Sequence, residues 1–204
     1  MLLLKVCGMK DNSNIAELIQ LQPDFIGFIF HEKSPRNVVD HIEVNFPSNI
    51  KKVGVFVNES EEFIHSKIIS FKLNSAQLHG NESPEFCQKI KDLGVDIIKA
   101  FNIHPEFDFK QLKAYEPYCD YFLFDAFGKK AGGNGIVFNW ELLNQYSENI
   151  PFLLSGGIDE TMVDQIKIFK HSQFVGIDIN SKFETANCYK NITNIKLFKD
   201  ELFS

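Results

Sequence analysis

The chain alternates eight times between a short apolar run and a longer amphipathic segment, and this repetition constrains the fold more than any other feature. Each apolar run is too short for a buried helix and has the length of a strand that is covered on both faces. Strands that alternate with helices pair in parallel through right-handed crossovers. The predicted strands span residues 2–6, 25–30, 52–57, 75–78, 96–100, 121–124, 152–154 and 174–177.

The amphipathic segments carry residues that start and stop helices. The segment at 84–93 is the clearest, because Ser83 can cap it, Pro84 occupies the favoured first position and Gly94 follows its end. The segment at 36–46 has two β-branched pairs and a proline close behind it, so we expect only an irregular helix there. The other predicted helices span residues 12–21, 61–71, 106–115, 140–146, 160–169 and 188–202.

Eight strand–helix units within 204 residues match the lower size limit of the closed eight-stranded parallel (β/α)8 barrel, the TIM barrel. An open doubly wound α/β sheet is the alternative, but that fold usually needs only five or six strands. No long linker rich in Ser, Pro or Gly divides the chain, so we expect a single barrel domain over residues 1–204. In such a barrel the active site lies at the carboxyl ends of the strands.

Charge and apolar content argue against several kinds of partner. A net charge of -6 and an isoelectric point near 5.5 give no overall basic surface for nucleic acid. No apolar run approaches the ~20 residues of a membrane helix, and residues 1–7 lack the basic leader and cleavage site of a signal peptide. Scattered cysteines without metal-ligand spacing suit a reducing, cytoplasmic location. They are Cys7, Cys87, Cys119 and Cys188.

The clearest candidate for chemistry follows the sixth predicted strand. Asp125 stands at the end of the aromatic run at 121–124, and a loop rich in glycine and lysine follows at 126–135. A carboxyl group at the mouth of a buried strand, beneath a flexible basic loop, is typical of an active-site acid under a lid. An Asp that only closes the loop is the alternative interpretation.

Two further candidates follow the first and second strands. Cys7 ends the first strand, and its thiol can act as a base or nucleophile if a nearby cation lowers its pKa; an inert buried cysteine is the alternative. Arg36 is the only arginine in the chain, and Pro35 stiffens the turn that presents it. A guanidinium on a stiff turn suits bidentate capture of a carboxylate or phosphate, although a solvated surface arginine is possible on position alone.

The remaining candidates follow the fourth and fifth strands and the last two. Strand alternation places Gln77 and His79 on one face, which we expect to line the barrel mouth. Lys99 is expected to face inward or to lie at the rim. Paired glycines after the seventh strand and a polar turn after the eighth suit a phosphate site built from backbone N–H groups, unless the glycines serve only the turns. The phosphate candidates are Gly156, Gly157, Asp178, Asn180 and Ser181.

These motifs, in this order and over nearly the whole chain, resemble phosphoribosylanthranilate isomerase of tryptophan biosynthesis. No single motif is unique, but the ordered set is highly specific. The motifs are KVCG at 5–8, GFIF at 27–30, SPR at 34–36, VGVFVN at 53–58, QLHG at 77–80, Asp125 with GGNG at 132–135 and FNW at 138–140, and SGGI at 155–158.

The resemblance implies an Amadori rearrangement of a phosphorylated small-molecule substrate, without cofactor or metal, in a monomer or homodimer. It implies that Cys7 is the general base, that Asp125 is the general acid, and that Arg36 binds the anthranilate carboxylate. The implied phosphate loops are those at 156–157 and 178–181. The chain departs from the family where Lys182 replaces a glycine; the change could strain a backbone that requires positive φ, or Lys182 could add a charge near the phosphate.

Three rival functions have distinguishable requirements. An indole-glycerol-phosphate synthase needs a lysine acid and an N-terminal extension, whereas the first strand here begins at residue 2. A metal-dependent sugar-phosphate epimerase needs several His and acidic ligands at strand ends, and only His79 is well placed. A barrel that binds a phosphorylated ligand without turning it over is the non-enzyme alternative, and it predicts stabilisation by ligand without reaction.

Overall fold

The eight strands close into a barrel in which every strand is parallel to its neighbours and β8 pairs with β1. The computed structural model describes residues 2–39, 42–126, 140–185 and 188–204. The closed topology confirms the predicted barrel and excludes the open sheet. The strands are β1 (Leu3–Cys7), β2 (Phe25–Ile29), β3 (Lys51–Phe56), β4 (Ser75–Leu78), β5 (Asp96–Ile103), β6 (Tyr121–Ala126), β7 (Phe152–Ser155) and β8 (Phe174–Ile179).

An outer layer of α-helices and 3-10 helices surrounds the strands. Side-chain caps begin most of the α-helices, for example Ser60 on α2 and Ser83 on α3, whose hydroxyls accept from backbone N–H groups of the first turn. The α-helices are α1 (Asn12–Ile19), α2 (Glu61–Phe71), α3 (Pro84–Lys91), α4 (Val163–Ile168) and α5 (Ile192–Leu202), and the 3-10 helices are Phe109–Tyr115, Trp140–Gln145, Glu160–Met162 and Ser181–Phe183. Among the described helices, none has the length and apolar character to cross a membrane.

Strand alternation divides the apolar side chains into two cores. The larger core lies between strands and helices, and Leu4 and Val6 of β1 belong to it. Lys5 and Cys7 therefore point the other way, into the barrel. Each fully buried large apolar side chain contributes roughly 1.5–3 kcal/mol of transfer free energy. The smaller, interior core contains Phe25, Val53, Ile98, Ala100, Leu123 and Leu153.

Several predicted helices differ from the observed ones. The irregular helix at 36–46 is wrong for the described residues 36–39 and 42–46, because the Val38 N–H donates to Ile29 O and draws the chain alongside β2 instead. The segments at 106–115 and 140–146 form 3-10 rather than α-helices, beginning at Phe109 and Trp140. The last helix begins later than expected, where Asn191 caps it.

Lys99 does not face inward. Its neighbours Ile98 and Ala100 occupy the interior core, so the Lys99 side chain leaves the opposite face of β5. Its ammonium donates to the carbonyls of Leu78 (3.1 Å) and Gly80 (2.9 Å). Lys99 thus secures the end of β4 from outside the barrel.

Candidate active site

A cavity of about 190 Å³ opens at the carboxyl ends of the strands. Its described wall draws on most strands of the barrel, as the closed topology requires for residues that follow successive strands. Among the described lining residues, Arg36 is absent, whereas every other predicted site residue is present together with Lys182. Those predicted residues are Cys7, Gln77, His79, Asp125, Gly156, Gly157, Asp178, Asn180 and Ser181.

The Cys7 thiol lies at the inner wall of this cavity and is only 3% exposed. Gly27 pairs with Cys7 across β1 and β2. A Cβ atom at Gly27 would stand 2.7 Å from the Cys7 Sγ, which is closer than such atoms approach in proteins. The glycine of β2 therefore makes room for the sulfur atom of β1.

The charges around Cys7 act in opposite directions on its thiol. Burial raises the pKa of Cys7, Lys5 lowers it, Asp178 raises it, and Lys190 lowers it, with a net rise. The cation that the sequence hypothesis requires is therefore present, and in the protein without substrate burial outweighs its effect on the pKa of Cys7.

Lys5 and Asp178 form an ion pair beneath the thiol. The Lys5 Nζ lies 2.9 Å from the Asp178 Oδ1, and the two residues are paired in register across β1 and β8. Ser155 Oγ donates to the other carboxylate oxygen of Asp178 at 3.3 Å. Burial alone would lower the pKa of Lys5, but Asp178 and Cys7 outweigh burial and raise it, so the ammonium keeps its proton.

Sequence reasoning assigned no role to Lys5, although the residue lies inside the recognised KVCG motif. Its signal was the two-residue spacing from Cys7, which places both side chains on the same face of β1. The partner on β8 lies 173 residues away in sequence, and only closure of the barrel brings it into contact.

Asp125, His79 and Gln77 form a hydrogen-bonded row on the opposite side of the cavity. The Gln77 Nε2 lies 3.0 Å from the His79 Nδ1, and the His79 Nε2 lies 3.3 Å from the Asp125 Oδ2. Because the amide nitrogen can only donate, the Nδ1 accepts and the Nε2 carries the hydrogen. Gln77 thereby fixes the tautomer in which His79 donates to Asp125.

Two observations qualify this row. The side chains of His79 and Asp125 are each 26% exposed, so solvent reaches the carboxyl group. The Gln77 Oε1 is buried and has no hydrogen-bond partner among the described residues. An unpartnered buried acceptor costs stability, which indicates that Gln77 serves the site more than it serves folding.

The loop after β7 has a backbone that requires glycine. Gly156 and Gly157 have φ values of +90° and +72°, in the left-handed region that side chains disfavour. A Cβ atom at Gly157 would have no neighbour within 4 Å, so backbone geometry rather than crowding explains that glycine. Beside this loop, Asn180 and Ser181 follow the neighbouring strand β8 and also line the cavity.

Lys182 replaces the glycine of the family without backbone strain from a positive φ. It is not among the residues with positive φ. It lies in the 3-10 helix Ser181–Phe183, is exposed, and lines the cavity beside the loop after β7. The substitution therefore adds an exposed positive charge to the mouth without placing a side chain in left-handed backbone.

Arg36 is bound by Glu184, a residue to which sequence reasoning gave no role. The Arg36 Nε and Nη2 donate to the two carboxylate oxygens of Glu184 at 2.7 and 2.6 Å. This hydrogen bonding is the largest influence on the pKa of Arg36, which rises. Lys190 binds Glu184 as well, and its Nζ donates to Asn180 Oδ1 at 2.8 Å. The carboxylate-binding role of Arg36 stays a prediction.

Two further points concern the predicted lid and metal binding. The proposed lid, including Gly128, Lys129, Lys130 and residues 132–135, lies outside the described residues. Within the described ranges, no group of three or more His, Cys, Asp or Glu side chains is arranged to hold a metal ion.

The fold and the site are those of the (β/α)8-barrel enzymes, with a thiol and a carboxyl group in one cavity at the strand ends. Residues 4–201 match the family model described as N-(5'phosphoribosyl)anthranilate (PRA) isomerase. The chain is 43% identical over 201 residues to N-(5'-phosphoribosyl)anthranilate isomerase of Phocaeicola vulgatus, with 98% of each chain covered. The chain therefore belongs to the PRA isomerase family.

Solved structures with the same family name share the fold. One is a phosphoribosyl anthranilate isomerase in complex with reduced 1-(o-carboxyphenylamino)-1-deoxyribulose 5-phosphate, with a TM-score of 0.82, 27% identity, and 100% and 99% of the two chains covered. Another is described as monomers generated from the dimeric enzyme of Thermotoga maritima, with a TM-score of 0.81, 26% identity and full coverage of both chains.

Proposed function

We propose that this chain converts N-(5-phosphoribosyl)anthranilate to 1-(o-carboxyphenylamino)-1-deoxyribulose 5-phosphate, an Amadori rearrangement in tryptophan biosynthesis. The observation that carries the proposal is the presence of Cys7 and Asp125 in one cavity at the barrel mouth, in a chain of this family. An aldose-to-ketose isomerisation needs an acid at one atom and a base at a neighbouring carbon, and it needs no cofactor.

Asp125 acts first, as the general acid. It gives a proton to the furanose ring oxygen, the C1–O bond breaks, and the nitrogen lone pair forms a protonated Schiff base. His79 orients the carboxyl group through its Nε2–H, and the partial exposure of the pair allows Asp125 to regain its proton from solvent.

Cys7 acts second, as the general base. Its thiolate takes the C2 proton, and the C2–H electrons form the C1=C2 bond of an enolamine while the nitrogen becomes neutral. The enol proton then leaves the C2 oxygen and C1 gains a proton, which gives the ketose. Because burial raises the pKa of the Cys7 thiol, formation of the thiolate is part of the energetic cost of this step.

The two ends of the substrate have separate sites. Backbone N–H groups of Gly156 and Gly157, with the turn at Asn180 and Ser181, bind the phosphate. Arg36 binds the anthranilate carboxylate. Its guanidinium must then donate to this carboxylate as well as to Glu184. Anchoring both ends holds C1 and C2 between acid and base, and such positioning supplies several kcal/mol of barrier reduction.

The assembly and location extend this proposal. We expect a monomer or homodimer in the cytoplasm, and the four free cysteines support a reducing compartment. Sedimentation of the purified protein distinguishes monomer from dimer, and cell fractionation tests the location.

One fluorescence assay tests the function. Purified protein should abolish the fluorescence of phosphoribosylanthranilate with multiple turnovers. Cys7→Ala should lower kcat by ~10²–10⁴-fold, because a general base acts in the transition state. Cys87→Ala removes a buried thiol remote from the mouth and serves as the matched control. Binding without turnover by wild-type protein would instead support the ligand-binding barrel.

A further inference from the structure

Lys5 is a buried cation next to the proposed base. Its side chain is fully buried on the inward face of β1, two residues before Cys7. A buried ammonium is costly unless partners satisfy its charge and its donors. Its presence therefore calls for a partner, and the structure provides a carboxylate.

The Lys5 ammonium binds a carboxylate and shares the inward face of β1 with a thiol. It lies 2.9 Å from the Asp178 Oδ1, and its positive charge lowers the pKa of the Cys7 thiol two residues along the strand. Asp178 lines the cavity, as Cys7 does. Lys5 thus links the proposed base to a carboxylate that can contact substrate.

The other two cations near Cys7 share one carboxylate. Lys190 follows the last 3-10 helix, and Arg36 follows β2; both act on the thiol from a distance. Both bind Glu184, whose single negative charge offsets part of theirs. On β2 the neighbour of Cys7 is the uncharged Gly27. Among the described cations that act on the thiol, Lys5 lies on the same strand and the same face as Cys7.

We propose that Lys5 is a positioning residue for proton abstraction, whose ammonium orients the Cys7 sulfur and stabilises the thiolate formed there. The inference rests on the proposed role of Cys7 as the base. In the abstraction cycle the thiol proton leaves to solvent, Lys5 keeps its own proton, and the Cys7 thiolate then takes the C2 proton. The pair therefore needs no further reactant.

Alkylation of Cys7 measures this effect without any turnover. Iodoacetamide reacts with the thiolate, so the pH midpoint of its rate reports thiolate formation, and mass spectrometry of the peptide containing Cys7 separates it from the other cysteines. Lys5→Met should move the midpoint upward by about one pH unit or more, equivalent to a tenfold slower reaction at a given lower pH.

A second pair of variants protects the test against misfolding. Lys5→Met leaves Asp178 as an unpaired buried carboxylate, whereas Lys5→Met/Asp178→Asn removes both charges. Compared with Asp178→Asn alone, the double variant should again show the higher midpoint. An equal midpoint in these two folded proteins would overturn the proposal.

Lys99→Met is the matched control, because Lys99 is also buried but binds carbonyls and Glu82 outside the barrel. It should leave the Cys7 midpoint unchanged. Kinetics separate the two proposals. If wild-type protein shows no turnover but Lys5→Met shifts the midpoint, the proposed function fails and the effect of Lys5 on the thiol stands. If wild-type protein turns over but Lys5→Met leaves the midpoint unchanged, the proposed function stands and the proposed effect of Lys5 on the thiol fails.

Discussion

The two sides of the barrel mouth are built on different principles. The base side, formed by Lys5, Cys7 and Asp178, is buried and depends on an ion pair that solvent does not reach. The acid side, formed by Gln77, His79 and Asp125, is about a quarter exposed at its two outer members and depends on a row of hydrogen bonds.

This difference follows from what each group must do. A thiol can take up a proton from carbon only as its thiolate, and a fixed cation favours the thiolate, the more so in a dry environment. A general acid must recover its proton in every cycle, and contact with solvent provides the route. The base side is therefore buried, and its charges act strongly on the thiol. The acid side stays open to solvent, and His79 orients its carboxyl group.

The largest effect is expected from the acid side. Asp125→Asn keeps the shape of the side chain and can still accept from His79, but it cannot deliver a proton. We expect kcat to fall by ~10²–10⁴-fold with little change in substrate affinity. Thermal unfolding and kcat should be measured on one preparation. An unstable but active variant would show that Asp125 only secures its loop.

The next effect concerns the anchor that both sides share. Gly156→Asp places a side chain in left-handed backbone, which costs about 1–2 kcal/mol of conformational free energy. It also adds a negative charge where the phosphate should bind. We expect roughly tenfold or weaker binding of the product, which corresponds to about 1.4 kcal/mol. Isothermal titration measures the change.

Gly94→Asp provides the matched control for this variant. Gly94 has φ +85° and open space around its Cβ position, so the same strain and charge arise after α3 rather than in the cavity. It should lose stability and keep product affinity. Equal affinity losses in both variants would mean that strain, and not an anion site at Gly156, accounts for the result.

Strand ends were the predictable part of this molecule. Asp125, Gln77 and His79 could be placed from apolar runs and alternation alone, because both are local signals. Glu184 could not be placed, since its partner Arg36 lies 148 residues away and closure of the barrel brings them together. The helix at 36–46 failed for a different reason: a hydrogen bond to β2, which a helical pattern does not reveal, decides its path.

A smaller effect is expected from Gln77, which tests the row on the acid side. Gln77→Leu removes the donor that fixes the His79 tautomer, so Asp125 loses its oriented partner. We expect kcat to fall by about tenfold, the equivalent of one hydrogen bond between neutral groups. Thermal stability should hold or rise, because the unpartnered Oε1 disappears. Parallel losses of stability and activity would assign Gln77 to the core.

The smallest effect is expected from Lys182, the charge that this chain adds at the mouth. Lys182 is exposed and lines the cavity beside the glycine loop, and exposed ion pairs contribute only about 0.2–1 kcal/mol. Lys182→Met should therefore raise KM a few-fold and leave kcat unchanged, since the contact is the same in ground and transition states. The difference from wild type should vanish in high salt, because salt screens exposed charges. Lys170→Met removes another exposed charge, after α4 and outside the cavity lining, and should change neither constant. A rise in KM that does not depend on salt would mean that Lys182 acts through the shape of the loop. The Lys182 ammonium would then have no part in binding the phosphate.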